Sequence, residues 1–339
     1  MWIATPCLTE QSNTMIELRS VYREDQPKAL ELWTAVFLGV SRKFFDRYYS
    51  ADPQYLAGDT VGAWNGGQLV GAVHVCRRTV DLNGSQLLFG GIANVATLPE
   101  FRGQGVSGRL LKQSIGLMEK IGCAYSLLET GYLTHYSKYG WERIDVPSPT
   151  VVLNPNLAAA TYMRSGFRQC EDPAGILTRS IALFGAPLER NLAELAELWR
   201  THARPIHTIR PDSYFSSWPF WNGTWLLAYP GCGYVFLSIP DSDDDPVLAE
   251  EWCASSPEVE AALFATAGAW ALAQGRKRLR FAALPQYSGL AGLLEIGTAI
   301  EPTVSTFMIR PVSLARDAFN KIRDHYVSGR IAIWPADRF

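Results

Sequence analysis

Gly90 to Trp141 constrains this chain more than any other stretch, because its hydrophobic period changes and changes back within about fifty residues. Leu88 to Thr97 is apolar and rich in strand formers, and Pro99 to Gly105 is turn chemistry. From Val106 the apolar residues Val106, Leu110, Leu111, Ile115, Met118 and Ile121 recur three to four apart, which predicts a helix. Tyr125 to Leu128 then reads as a strand and Thr134 to Tyr139 as a short helix. A loop that runs straight into a helix leaves backbone N–H groups unpaired at the positive end of the dipole, and the natural guest there is a phosphate. Gly103 and Gly105 allow the tight turns and close approach this needs, and Arg102 adds charge.

The usual nucleotide loops do not fit. The sequence Gly-x4-Gly-Lys-Ser/Thr is absent from the stretch, and Gly103, Gly105 and Gly108 match Gly-x-Gly-x-x-Gly only weakly. Asn65-Gly66-Gly67 and Asn83-Gly84 predict hairpins, the first with consecutive residues at positive φ, so the strands before the loop form an antiparallel meander. Glu119 and Glu129 stand in the wrong places for the ribose acid of a dinucleotide fold.

Arg102-Gly103-Gln104-Gly105-Val106-Ser107 resembles the Arg/Gln-x-x-Gly-x-Gly/Ala pyrophosphate loop of the GNAT superfamily of N-acetyltransferases. Asn94-Val95-Ala96-Thr97-Leu98-Pro99 resembles the strand that pairs with the pantetheine arm, and Tyr136-Ser137-Lys138-Tyr139-Gly140-Trp141 resembles the closing Tyr-x-x-x-Gly-Phe signature. Ser107 departs from the small Gly/Ala position, which narrows the pocket without removing an N–H donor. The resemblance implies an acetyl-CoA site made by Asn94, Val95, Ala96, Thr97, Arg102, Gly103, Gln104, Gly105, Val106 and Ser107, with strands Ile92–Thr97 and Tyr125–Leu128 splayed around the thioester. The competing reading of the loop is a structural glycine-rich turn.

A chain of 339 residues suits two domains of about 150 residues each. Its 47% hydrophobic and 19% charged residues are those of a globular protein, and a net charge of -2 gives no case for nucleic acid. The basic run Arg276-Lys277-Arg278 with Arg280 reads as a solvated helix end. Six scattered cysteines without Cys-x-x-Cys and five histidines without His-x-x-x-His suggest neither a disulfide framework nor a metal site, so a cytoplasmic location is expected. The first Lys or Arg is Arg19, so no secretion signal is read, and Ala261–Ala273 is too short an apolar run to cross a membrane.

Residues 1–14 read as a disordered N-terminus, 15–153 as the catalytic domain, 154–180 as an interdomain segment with a helix, 181–312 as a degenerate copy, and 313–339 as a C-terminal tail. The copy repeats the element order of the first half, but Ala254-Ser255-Ser256-Pro257-Glu258 replaces the glycine loop, with Glu258 placing negative charge where a phosphate would sit. The fold class expected is α/β (α+β): two tandem GNAT-like acyl-CoA N-acyltransferase folds with mixed, mostly antiparallel sheets flanked by helices. This tandem resembles the enhanced-intracellular-survival (Eis) family without its C-terminal sterol-carrier-like domain. Mycothiol synthases share the tandem, which alone does not choose between them.

By that resemblance Tyr136 is the general acid, a packed core tyrosine being the alternative. Glu129, His135 and the terminal carboxylate of Phe339 are the candidates for the base. Phe44 and Phe45 read as core, while Tyr48 and Tyr49 are divided between core and cleft wall. The aromatic run Tyr214–Trp221 reads as interdomain packing or the roof of an amine pocket, and Asp241–Pro246 as an exposed hairpin rather than a cation loop. The function expected is acetyl transfer from acetyl-CoA to a primary amine of a small molecule, with no metal, no nucleic acid and no membrane partner, and with a homo-oligomer left open. Transfer to a protein lysine or N-terminus, and a non-catalytic acyl-CoA-binding module, are the alternatives.

Overall fold

The computed structural model describes residues 15–157, 188–217, 224–229, 231–334 and 337. Strand β1 (Glu17–Val21) leads to helices α1 (Gln26–Val36) and α2 (Arg42–Ser50), the latter capped by Ser41, whose Oγ accepts from Phe44 N at 3.3 Å. The meander follows as β2 (Thr60–Asn65), β3 (Gln68–Leu82) and β4 (Ser85–Thr97). Its first hairpin corrects the expectation: of Asn65, Gly66 and Gly67 only Gly66 has positive φ, the pattern of a II′ rather than a I′ turn. Asn83 and Gly84, at φ 54° and 91°, make the I′ turn instead.

Next come α3 (Val106–Lys120), β5 (Tyr125–Glu129), α4 (Leu133–Ser137) and β6 (Glu142–Pro147). The inner face of α3 buries Val106, Leu110, Leu111 and Met118 against β2, β3 and β4, each large side chain contributing about 1.5–3 kcal/mol. Ile115 and Ile121, on the same stripe, are only half-buried.

The remaining described elements are β7 (Thr150–Leu153), α5 (Leu188–His202), β8 (Ile206–Ile209), α6 (Ser213–Ser217), β9 (Thr224–Tyr229), β10 (Gly233–Ser238), β11 (Val247–Ala254), α7 (Pro257–Ala273), β12 (Arg278–Phe281), α8 (Gly289–Leu293), β13 (Gly297–Glu301), β14 (Val304–Pro311) and α9 (Arg316–Val327). One sheet has the order β1-β2-β3-β4-β5-β14-β6 with β8 on the far half of β3, and the other has β13-β7-β12-β11-β10-β9. Within each, one pair alone is parallel: β4 with β5, and β11 with β12. Each parallel pair is joined by a helix, α3 or α7, so each sheet holds one parallel strand–helix–strand unit and the molecule is a mixed α/β fold.

The boundaries read from the sequence follow the chain but not the sheets. After β6 the chain passes through Ser148 and Pro149 into the second sheet, where Val151 lies opposite Leu279 and Ile300. It returns as β14, with Phe307 opposite Glu129 on one side and Ile144 on the other. Short links fix this crossing: Ser148 N donates to Thr303 O at 3.0 Å and Ser148 Oγ to Phe281 O at 2.8 Å. β14 falls within the stretch 181–312 that the sequence assigns to the second unit, yet its continuous buried run Phe307-Met308-Ile309 completes the first sheet.

The segment 313–339, read as a tail, is likewise integrated where it is described. Phe319, Ile322 and Tyr326 of α9 join Tyr125, Ile144 and Phe307 in one core, with the Tyr125 and Tyr326 hydroxyls 2.8 Å apart, while Trp334 enters the core of the other sheet. The basic run is not a solvated helix end either: Arg276 is buried and bonds the main chain of the β10–β11 loop at Pro240 and Ser242. Residues 1–14, the helix expected within 154–180 (apart from 154–157), Trp218–Trp221 and Phe339 lie outside the described residues.

Candidate active site

The glycine loop lies at the C-terminal end of β4, after the short 3-10 turn Pro99–Phe101. Gly103 and Gly105 both take left-handed φ, 76° and 75°, which side-chain-bearing residues adopt only with strain. Gly105 caps α3 without a side-chain bond. Among the described residues the N–H groups of 103–108 meet no main-chain acceptor, and the pairing of the helix starts with Arg109 N donating to Gly105 O at 3.1 Å. These unpaired donors lie at the positive end of α3, and Gly103, Gly105, Val106, Ser107 and Gly108 border one cleft, whereas Gln104 does not line it. Arg102 Nε donates back to Thr97 O at 3.1 Å, which holds its guanidinium at the rim, and Gln104 Nε2 donates to Glu100 O at 3.1 Å.

These groups open onto a cleft of about 740 Å³. Val95, Thr97, Arg102, Gly103, Gly105, Val106, Ser107 and His135, all singled out in the sequence, line it together. Val36 and Phe37 at the end of α1, with Phe101, Gly108, Tyr132 and Tyr139, complete the lining. Tyr139 was within reach of the sequence, since it occupies the last variable position of Tyr136-x-x-x-Gly140. Its role depends on Gly108: a Cβ there would stand 2.0 Å from Tyr139 Oη. The missing side chain lets the phenol lie against the first turn of α3.

Strands β4 and β5 pair only through Phe89, Gly90 and Gly91 opposite Tyr125, Ser126 and Leu127, and beyond that they part. On its other edge β4 bulges: His74 opposes Ala93 and Ala72 opposes Ala96, leaving Asn94 and Val95 without partners in register. Asn94 carries the kink at φ 51°, an orientation Asn tolerates better than most residues. The main chain at Val95 is thus open next to the splay. Ala96, by contrast, is 2% exposed and belongs to the core under α1.

Tyr136, His135 and Glu129 are separated by the loop that follows β5. The His135 Nε2 and Ser107 Oγ atoms are 3.0 Å apart, joining α4 to α3, and burial, then Lys138, pushes the imidazole pKa down. Tyr136 packs edge-on to Trp141 and hydrogen-bonds the Thr130 side chain, and burial raises its phenol pKa, so it is protonated at neutral pH. Thr130, with Glu129 and Gly131, lines a second cleft of about 510 Å³ that opens between the two sheets. Glu250 of β11 and Arg280 of β12 line its opposite wall, Arg280 Nε donating to Ser148 Oγ at 3.0 Å. The two clefts flank one loop: Glu129–Gly131 line one and Tyr132 and His135 the other, while Tyr136 lines neither and packs against the core beside Trp141.

The aromatics of α2 divide unevenly. Phe45 and Tyr48 are buried, Phe44 is 40% exposed, and Tyr49 Oη lies 3.0 Å from Thr60 Oγ1. Tyr48 and Tyr49, with Trp33 and Tyr55, surround His74, whose Nδ1 is 2.9 Å from Thr60 Oγ1 and whose pKa burial pushes down to about 3. Tyr214 and Phe215 are core, which matches the packing alternative for the described part of the aromatic run. No helix among the described residues is long and apolar enough to cross a membrane.

Residues 17–144 match the family model of the acetyltransferase (GNAT) domain. The chain is 28% identical over 126 residues to the uncharacterized N-acetyltransferase YjhQ of Escherichia coli K12, covering 33% of this chain and 69% of that protein. Among solved structures, a GCN5-related N-acetyltransferase from Kribbella flavida shares the fold at a TM-score of 0.61 and 17% identity, over 88% of this chain and 71% of that one. Eis1 from Mycobacterium abscessus does so at 0.57 and 15%, over 88% and 74%.

Proposed function

We propose, from the premise that the GNAT N-acetyltransferase family is supported for residues 17–144, that this chain moves an acetyl group from acetyl-CoA to a primary amine of a small molecule by direct transfer. The observation that carries this is the row of unpaired N–H groups at 103–108 opening onto the cleft that also holds Val95. Such a cradle suits a diphosphate, with Arg102 at its rim adding charge and Ser107 an additional donor. The unpartnered main chain of Asn94 and Val95 offers amide groups to the pantetheine arm. The parting of β4 and β5 leaves room for the thioester between them.

Loop 129–132 then divides the labour. The acceptor enters from the inter-sheet cleft, where the Glu129 and Glu250 carboxylates attract an ammonium group. Glu129 or His135 takes the proton from the attacking nitrogen, directly or through water, as the N–C bond forms. Tyr136, kept protonated by its burial, gives its proton to the sulfur as the C–S bond breaks. The second sheet, with its own parallel strand–helix–strand unit, reads as a degenerate tandem copy that forms the far wall of the acceptor cleft.

The test is thiol release from acetyl-CoA across a panel of small amines, for the wild-type chain and Tyr136→Phe. Amine-dependent release that falls about 10²–10⁴-fold in the variant, with coenzyme affinity held, is expected. Equal, amine-independent hydrolysis by both proteins would sink the mechanism, and no uptake of coenzyme in calorimetry at millimolar concentration would sink the site.

A further inference from the structure

A third cleft, of about 430 Å³, lies apart from both of these. Four segments meet around it: Asn83 at the tip of the β3–β4 hairpin, Arg204 between α5 and β8, Leu284 and Gln286 after β12, and His325 and Arg330 at the end of α9. The rest of the lining is mostly proline, glycine and aliphatic carbon.

Arg204 is the unusual member. It is 7% exposed, and its guanidinium stacks over the rings of Trp252 and Trp334 at 5.3 and 5.0 Å. Of its five N–H donors one is used among the described residues, from Nη2 to Leu284 O at 2.5 Å, and Nε is buried without an acceptor. The other described buried arginines all hold carboxylates: Arg78 holds Asp52, Arg210 holds Glu251 and Asp337, and Arg276 holds Asp243. Glu260, the acid that acts on Arg204 from a distance, is committed elsewhere, accepting from Trp252 Nε1 and from the N–H groups of Gln286 and Tyr287.

A buried guanidinium without a carboxylate in contact is costly, and burial outweighs the distant Glu260 and pulls the Arg204 pKa down to about 10. Arg330, exposed on the same cleft, has no ion pair among the described residues. The His325 ring faces the cleft with no described hydrogen bond of its own. Three donors around a pocket with apolar walls match one kind of guest.

We infer that this cleft is a second ligand site, for a small organic anion whose carboxylate meets Arg204 and Arg330 and whose apolar part lies against Leu284. Its walls come from both sheets and from α9, so a bound anion ties these parts together and stabilises the native state.

Benzoate is the probe, and benzamide its neutral isostere, in calorimetry and thermal melting on the full chain. Saturable benzoate uptake at or below about 10 mM, with a rise in Tm and with benzamide about tenfold weaker or more, is expected. Arg330→Gln, on an exposed side chain, weakens benzoate about tenfold while leaving the unliganded melt and coenzyme binding unchanged. Arg204→Gln abolishes uptake if that variant folds. Ser107→Glu, altered in the coenzyme loop, binds benzoate as the wild type does. Absence of saturable uptake, equal binding of benzamide, undiminished binding in Arg330→Gln, or loss of binding in Ser107→Glu would each overturn the assignment.

Discussion

Helices α3 and α7 occupy the same place in their units, each bridging a pair of parallel strands, and they begin in opposite ways. The α3 terminus is capped by a left-handed glycine with no side-chain bond, and its first N–H groups meet no main-chain acceptor among the described residues beside a cleft. At α7, Ser256 Oγ accepts from Val259 N at 3.3 Å, Pro257 removes a donor, and Glu258 and Glu260 fill the first turn with negative charge. Glu260 is itself buried and fixed by the N–H groups of Gln286 and Tyr287. One helix end is finished from within the chain and the other keeps its first N–H groups without main-chain acceptors among the described residues.

The interiors differ in the same sense. Under α1 and α2 the first unit buries a neutral imidazole, His74, among aromatic rings. The second buries a charged cluster, with Arg210 bonded to Glu251 at 2.9 and 2.7 Å and to Asp337 at 2.8 Å, and with Tyr234 Oη donating to Glu251 at 2.7 Å.

The strongest way to break the contrast is Glu251→Leu, which leaves Arg210 with Asp337 as its one carboxylate among the described residues and leaves two guanidinium donors and the Tyr234 hydroxyl without their buried acceptor. We expect a loss of about 3–5 kcal/mol in denaturant unfolding with coenzyme affinity of the folded protein unchanged. A loss of coenzyme binding in still-folded protein would mean that the second unit is not merely structural. The next effect is on the pH axis. His74 titrates near 6.5 when unfolded and about 3 when folded, so below pH 6.5 the unfolded chain binds a proton that the native state refuses. Stability therefore falls as pH drops through that window, by about 2 kcal/mol at pH 5 from this group alone. In His74→Gln the pH dependence of unfolding between 6.5 and 5 should flatten by that amount, and an unchanged slope would show that His74 is protonated in the fold.

Ser107→Glu makes the first helix end resemble the second. Coenzyme affinity should drop at least about tenfold while Tm holds or rises slightly, because an acid favours a helix N-terminus and repels a phosphate there. An unchanged Kd would remove α3 from the coenzyme site. The smallest effect is Ser256→Ala, at about 1 kcal/mol of stability, with no gain of coenzyme binding in the second unit.

The local features of the site were legible because they depend on near neighbours. Gly103 and Gly105 take left-handed φ because the turn between β4 and α3 requires it, and Ser41 and Ser256 cap because their hydroxyls reach the third residue on. The position of β14 was not legible. Its run Phe307-Met308-Ile309, buried on both faces, suits the interior of either sheet, and the gap between β5 and β6 that selects it exists only once both strands have packed. Arg276 was misread for a similar reason: the sequence shows its charge, but the carbonyl groups of the β10–β11 loop that bury it come from thirty residues away and more.

The sequence by itself determined the period changes, the places of the turns and the helix ends, including which end lacks a side-chain cap, since these follow from steric and hydrogen-bonding limits within a few residues. Only the tertiary structure decided that β7 and β14 cross between the sheets, that the loop after β5 borders two clefts, and that Arg204 is buried without an ion-paired carboxylate among the described residues. These depend on which distant surfaces meet, and burial and electrostatic pairing have no value until they do.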